Sequence, residues 1–483
     1  MSQLFDTAKP LPRAVILAVQ LQGTSDAEFA SSLEEIARLG KTLGLRVIGR
    51  VTQKRSRLAP GVVVGEGKLT ELARWTGGSG KVHVGPPQTK KNTKQRGGAR
   101  AEAEAAEREA DESASEAGAA SEASAQPAAV DAGAPLPASE RAGVVLVDHD
   151  LSPSQARNLE NATGAEVIDR SGVILAIFQR HARSREARLQ VEIARLQYVA
   201  PRLRETSLGE DRQGGGIGGK GAGESSAELD RRKIRDRIAE LRQELAAIER
   251  DSSTRRKRRG ELNKVALVGY TNAGKSSWMR ALTGSEVLVQ DKLFATLDTT
   301  VRALQPETTP RILVSDTVGF IKKLPHDLVA SFRSTLDEAR ECDLLVHVVD
   351  AADPAFPSQI AVTREVLHDI AADESPALLV LNKADRLTPD ERERLSAEHP
   401  SALLLSCRDK SDVAKLHARI AAHFEQDMTE AELVIPYALS KLVAEAHAHV
   451  RILGETHEED GTHLRIKASS EQVARLQAAL RKH

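Results

Sequence analysis

Apolar positions near the start of the chain form short runs separated by amphipathic stretches. Val15–Val19 is a continuous apolar run and predicts a strand. Across residues 26–42, Phe29, Leu33, Ile36, Ala37 and Leu39 recur at helical spacing. Leu45–Val51 predicts a second strand, and Val62–Val64 runs into the turn Gly65-Glu66-Gly67-Lys68. Residues 69–75 open another helix and Lys81–Val84 predicts another strand. Such alternation predicts a parallel sheet with helical crossovers. The rhythm stops at residues 88–140, rich first in Lys, Gln, Asn and Gly and then in Ala, Glu and Ser. With no apolar stripe to bury, this stretch predicts a mobile insertion, at most transiently helical. The pattern resumes at 143–148, continues in a helix with Ser152 as N-cap and Pro153 in its first turn, and ends in the strand Ala165–Ile168. The insertion therefore interrupts one α/β domain, residues 1–180.

From Gly172 to Arg204 the period becomes helical, with Leu189, Ile193, Leu196 and Leu203 near one face and Arg183, Arg185, Arg188, Arg195 and Arg202 off it. Further on, Ile234, Ile238, Leu241, Leu245 and Ile248 repeat at spacings of four and three, a coiled-coil-like seam. Two such helices predict an antiparallel hairpin over residues 181–259. Its tip, 213–223, is glycine-rich and flanked by Arg212, Arg231, Arg232 and Lys233, with Lys220 within it. A flexible linker is the plain reading. Close backbone approach combined with phosphate-seeking charge favours insertion into folded RNA, and the basic run 255–259 extends the same face. No aromatic interleaving suggests stacking on single strands.

The centre of the chain carries the chemistry. Val265–Val268 reads as a buried strand and runs into Gly269-Tyr270-Thr271-Asn272-Ala273-Gly274-Lys275-Ser276, the GxxxxGKS phosphate loop. Its backbone N–H groups curl around phosphate oxygens, Lys275 reaches the β/γ oxygens, and Ser276 ligates Mg²⁺. Residues 279–282 continue the helix whose N-terminus faces the phosphates. Phe294-Ala295-Thr296-Leu297-Asp298-Thr299-Thr300 is hydroxyl-rich; spacing alone leaves Thr296, Thr299 and Thr300 open as the switch ligand of Mg²⁺. After the predicted strand 311–315, Asp316-Thr317-Val318-Gly319 offers a carboxylate to the Mg²⁺ shell and the Gly319 N–H to the γ-phosphate. Asn382-Lys383-Ala384-Asp385 follows the strand 378–381. Asp385 there can accept from both N1–H and the exocyclic amine of guanine, a pattern adenine lacks. Ser406-Cys407-Arg408 is placed to touch guanine O6.

These motifs in this order predict a P-loop GTPase domain over residues 260–425, hydrolysing GTP to GDP and phosphate. Phe320, directly after Gly319, cannot orient an attacking water, so unaided hydrolysis is expected to be slow and partner-stimulated. Asn272 can brace the loop or help hold a monovalent cation such as K⁺ beside the phosphates. Lys275, Thr296, Gly319 and Asn272 are the catalytic candidates; Ser276, Thr296 and Asp316 are the metal ligands. His326, after Leu324-Pro325, reads as a surface or contact residue. Residues 426–483 predict a small C-terminal α/β module whose histidines (His447, His449, His457, His463) fit surface positions better than a metal set.

With 483 residues the chain exceeds one ordinary domain. A net charge of -1 names no partner, although charge is unevenly distributed, acidic over 101–140 and basic at 255–259. Two cysteines, Cys342 and Cys407, argue against a disulfide scaffold or a cysteine metal site. Neither a secretion signal nor a membrane-spanning run is legible, so a cytoplasmic monomer without stable membrane insertion is expected.

Val64–Lys68, Leu151–Pro153 with Asn158–Glu160, Asp169-Arg170, Gln190–Glu192, Gly214–Glu224 leading into Leu229–Arg232, the loop 269–276, Phe294–Asp298, and Asp316–Phe320 with Leu324–His326 resemble the HflX GTPase family, ribosome-associated bacterial factors. The resemblance covers nearly all of the chain outside the insertion. It implies Thr296 as the switch ligand, and an apolar residue after DxxG as usual for the family. It also implies binding to the large ribosomal subunit and its ribosomal RNA, with the helical arm directed to the peptidyl-transferase region. Splitting of stalled ribosomes under stress, with GTP hydrolysis stimulated by the ribosome, is implied as well. Some members are reported to use ATP or to associate weakly with membranes; no residue here implies either. Large-subunit assembly and nucleotide-regulated RNA binding are the competing functions; DNA is not among the expected partners. Ser406–Lys410 lacks the family's usual Thr-Gly-rich continuation, which leaves the base-side contacts open.

Overall fold

The computed structural model describes residues 11–82, 136–206, 226–258, 263–285, 293–294, 300–322, 338–372, 374–426 and 428–481. The glycine-rich tip 213–223, the stretch 88–135 of the expected insertion, Ala295–Thr299 and His326 lie outside the described residues. The chain divides into two compact units, one ending at Ile174 and one beginning at Leu175.

The first unit is built on a four-stranded parallel sheet of order β2-β1-β3-β4, with β1 Arg13–Leu21, β2 Arg46–Arg55, β3 Val144–Val147 and β4 Glu166–Asp169. β1 is a central strand with both faces covered, which explains its unbroken apolar run. Val15, Leu17 and Val19 pack on one side with Leu69, Leu72 and Leu159. Each fully buried side chain of this kind contributes about 1.5–3 kcal/mol. The helix Asp26–Thr42 starts at a Ser25–Glu28 capping box, and Pro153–Thr163 at a Ser152–Gln155 capping box. Lys81 and Val82 are not in a strand, and the rest of that predicted run lies outside the described residues. β1 already has β2 on one side and β3 on the other, and the Gly80 N–H is drawn instead to Ala162 O at 2.9 Å.

The predicted single long helix is two. Arg170–His181 ends, and Arg185–Thr206 begins behind Ser184, whose hydroxyl accepts the Ala187 N–H at 3.0 Å in the manner of an N-cap. Ser226–Arg258 runs back against the second of these. Arg185 pairs with Glu244 and Arg237 lies near Glu192, so the two helices are antiparallel. Leu189, Ile193 and Leu241 form the seam with Leu196, Ile238, Leu245 and Ile248, while Leu203 is 39% exposed and stays outside it.

The largest sheet has order β10-β9-β8-β5-β7-β6: β5 Asn263–Val268, β6 Thr300–Ala303, β7 Ile312–Asp316, β8 Leu344–Asp350, β9 Ala377–Asn382 and β10 Leu403–Leu404. β6 is antiparallel and was not predicted; the other strands are parallel. β5 sits between β7 and β8, and the order reverses there, so the crevice beyond its carboxyl end is where a ligand of such a sheet binds. A three-stranded antiparallel sheet, β11-β13-β12 (β11 Met428–Ile435, β12 Arg451–Glu458, β13 Gly461–Ser469), completes the chain with helices Ser440–His449 and Ser470–Arg481. Among the described residues, no helix is long and apolar enough to cross a membrane.

Candidate functional site

β5 delivers Gly269 to the crevice, and the helix Lys275–Thr283 leaves it with its N-terminus facing the turn. Gly274 is required: its φ is 102°, and a Cβ there would fall 2.2 Å from Asn382 Nδ2. That amide in turn donates to Ala273 O at 2.8 Å, so Asn382 braces the phosphate loop from beneath.

Lys275 is buried, and its ammonium donates to Gly269 O at 3.0 Å and Tyr270 O at 2.9 Å. Burial pushes its pKa down to about 8, against the opposing field of Asp316. A buried ammonium resting on carbonyls suits an incoming polyphosphate, which would supply the missing counter-charge. Ser276 Oγ donates to Asp316 Oδ2 at 2.7 Å. A hydroxyl and a carboxylate meeting at one point beside a phosphate loop form the oxygen donor set that a hard divalent cation takes, so these residues fit Mg²⁺. Thr296, the third expected ligand, lies outside the described residues with Ala295, Leu297 and Asp298.

The DxxG segment closes on the loop. A Cβ on Gly319 would lie 2.9 Å from Thr271 Cα and 3.0 Å from Lys275 Nζ, so only glycine lets this peptide stand so near the ammonium. Thr317 donates through Oγ1 to Leu267 O, and Val318 is buried. Phe320 is also buried, with Val268 and Leu345 in its cluster. Phe294 is buried at positive φ, its ring edge-on to Phe178 with centroids 4.6 Å apart.

On the base side, Lys383 stretches across the loop to Asn272 O at 2.9 Å and Asp350 Oδ2 at 2.6 Å. Asp385 Oδ1 accepts the Ser406 hydroxyl at 2.7 Å, and Arg408 stands 3.6 Å from its other oxygen. The Ser406 bond is the main reason Asp385 is held below the ordinary carboxylate range. Ala384 N–H donates to Leu405 O, tying the two base-side segments together, and Cys407 packs against the core with its thiol pushed up by burial. Asn272 adopts φ 61°.

Of the sequence-predicted residues, 269–276, 316–319, 382–385 and 406–408 converge on the β5 crevice. Sequence reasoning missed Asp350, Asp412, Tyr270's hydroxyl and Phe178. Asp350 had a signal, ending an apolar strand beside the lysine it binds; Asp412, which accepts the Ser406 N–H at 2.9 Å, and Phe178 carry no motif. Among the described residues, one other group could hold a cation: Glu458, Asp460 and His463, with donor atoms within 4.8 Å of one another. Both carboxylates are exposed, and nothing else there points to a ligand.

Family models match in three blocks: a GTP-binding GTPase N-terminal region at 30–83 and 130–179, a GTP-binding GTPase middle region at 181–259, and a 50S ribosome-binding GTPase at 264–383. The chain is similar to the GTPase HflX of Gluconacetobacter diazotrophicus, 53% identical over 98% of this chain and 99% of that protein. It is also similar to GTPase HflX of Caldanaerobacter subterraneus, 33% identical over 98% of this chain and 94% of that protein, and to that of Escherichia coli, 41% identical over 66% and 76%. A phosphate loop at the switch point of a P-loop sheet, joined to similarity along nearly the whole length, shows that the chain belongs to the HflX GTPase family and is a GTP-hydrolysing enzyme.

Proposed function

We propose that this chain is a GTP-dependent ribosome-splitting factor that binds the large ribosomal subunit as a monomer and rescues stalled ribosomes under stress. The helical hairpin, within 181–259, reaches ribosomal RNA; the GTPase domain, 260–425, times attachment and release. In chain order the α/β domain 1–180 precedes them and the module 426–483 follows.

One observation carries the reading. The GTPase core has a buried phenylalanine directly after Gly319, where a water-orienting side chain would stand, and the same chain contains a charged antiparallel helix pair. A hydrolase without its own water-orienting group is slow until a partner orders the switch. The similarity to a 50S ribosome-binding GTPase model supports the large subunit as that partner.

In this reading Lys275 and the N–H groups of 269–276 hold the phosphates, and Gly319 meets the γ-phosphate. Asn382 and Lys383 shape the loop, while Asp385 with Ser406, Cys407 and Arg408 selects guanine. Ser276, Thr296 and Asp316 hold Mg²⁺, which when bound neutralises charge developing on the phosphates. Asn272 braces the loop or helps hold K⁺ beside them.

Light scattering on purified ribosomes with GTP, GDP or a non-hydrolysable GTP analogue tests the proposal. Subunit separation should depend on the triphosphate form, and deleting 213–223 should abolish it while sparing nucleotide affinity. Equal binding of the large subunit by GDP and GTP forms, with no stimulation of phosphate release, would refute it.

A further inference from the structure

Three hydrogen bonds tie the phosphate loop to the segment after DxxG, and one of them uses a side chain. Phe320 N–H donates to Gly269 O at 3.1 Å, and Thr271 N–H donates to Phe320 O at 2.8 Å. Together they make a parallel bridge between Tyr270 and Phe320. The third runs from Lys322 N–H to the Tyr270 hydroxyl, 2.8 Å. Main-chain bonds are available to any sequence. The third needs an acceptor of tyrosine's length at position 270, on a residue whose backbone belongs to the phosphate loop and whose side chain is buried.

We infer that Tyr270 is a positioning residue for hydrolysis: its hydroxyl fixes residues 319–322 against the phosphate loop, so that the Gly319 N–H stands where the γ-phosphate arrives. This rests on the GTPase reading of the site and deepens it. Gly319 and Lys275 Nζ already approach one point, as the 3.0 Å from a Gly319 Cβ to that nitrogen shows. Gly269 O accepts both the Lys275 ammonium and the Phe320 N–H, so phosphate binding and switch position share an acceptor. When phosphate oxygens draw the ammonium forward, the Phe320 N–H no longer competes with it. Phe320 offers no polar side chain, so the rate depends on where this main chain is held. The phenol oxygen sets that position without touching the nucleotide.

The test is Tyr270→Phe in the full chain, which removes the oxygen and keeps the ring. Single-turnover GTP hydrolysis should slow about fivefold, the size of one neutral hydrogen bond. Dissociation constants for GTP and GDP, read with fluorescent nucleotides, should move by less than about twofold, since uniform binding is untouched. Amide exchange at 320–322 should speed up. Lys322→Pro, which removes the donor from the other side, should give the same slowing if Tyr270→Phe fails to fold. Faster exchange with unchanged hydrolysis would overturn the inference, as would a loss of rate matched by an equal loss of nucleotide affinity. A parent chain that hydrolyses no GTP would instead sink the GTPase reading itself.

Discussion

Two sheets in this chain, one wholly parallel and one parallel except for its edge strand β6, gather charged groups at their carboxyl ends, and the groups are left in opposite states. Beyond β3 and β4, the Arg170 guanidinium is buried and bonded to Asp148 at 2.6 Å and to Glu35. Ser32 donates to the other Asp148 oxygen, and Asp169 accepts the N–H groups of Leu151 and Gly172. Every charge there closes on another group of the same unit. Beyond β5, the buried Lys275 ammonium rests on two carbonyls, while Thr271 Oγ1 and Asn382 Oδ1 are buried without a hydrogen bond. Burial and charge are common to both places. What separates a fold element from a ligand site is whether the buried groups satisfy one another.

The largest expected effect lies on the closed side. Arg170→Met leaves Glu35 and Asp148 buried without a cation and should cost about 3–5 kcal/mol, seen as a lowered thermal transition. GTP turnover by the folded protein should be unchanged. If the variant melts like the parent, the cluster is not structural and the comparison breaks.

Lys275→Ala is the opposite experiment. Hydrolysis should fall by about 10²–10³-fold, the loss of a cation aimed at developing phosphate charge. Thermal stability should hold or rise, because a buried ammonium opposes folding. A variant that lost activity only by unfolding would place Lys275 with Arg170.

How much of this is legible in the sequence follows from the kind of interaction. Phosphate chemistry needs fixed residue types at fixed short spacings, so 269–276, 316–319 and 382–385 could be read off the chain, as could the strands that carry them. The Arg170 cluster joins Glu35 on the helix Asp26–Thr42, Asp148 after β3 and Arg170 after β4, brought together only by the packing of that helix on the sheet; the resemblance marks Asp169-Arg170, but no local pattern announces the partners. β6 was missed because Thr300–Ala303 is short, half-exposed and antiparallel at an edge, with no apolar run. The helix break at 182–184 was missed because Ser184 acts through a cap, not through periodicity. Phe178 has no motif, yet its ring meets Phe294 at the start of the first switch segment.

Asp385→Asn tests the base side at an intermediate size. The Asp385 carboxylate accepts from Ser406, and guanine's two N–H donors need the same kind of acceptor. An amide can accept one and must turn a donor towards the other, so GTP affinity should fall about a hundredfold, the size of a lost hydrogen bond to a charged group. Xanthosine triphosphate, which offers a carbonyl where guanine offers the amine, should gain in a competition assay. Equal loss for both nucleotides would assign Asp385 to loop support.

The smallest effect belongs to a third arrangement, neither closed in a core nor open to a ligand. His463 Nε2 lies 2.8 Å from Asp460 Oδ1 at the β12–β13 turn, the histidine half-buried and the aspartate exposed. That bond raises His463 above its ordinary 6.5 and holds Asp460 below its ordinary 3.8. The histidine's contribution to stability is therefore fully present below pH 6.5 and fades as pH rises through its raised value. The aspartate's is present above 3.8 and fades as pH falls through its depressed value. Their window of joint stabilisation spans the mildly acid range between. His463→Gln should lower the melting temperature of the C-terminal module slightly there and leave it unchanged in alkali. Water reaches the exposed carboxylate and screens the pair, which is why the same chemistry that governs stability at Arg170 counts for little here. A large loss on His463→Gln, or one that persisted at high pH, would mean that partner satisfaction alone does not rank these clusters.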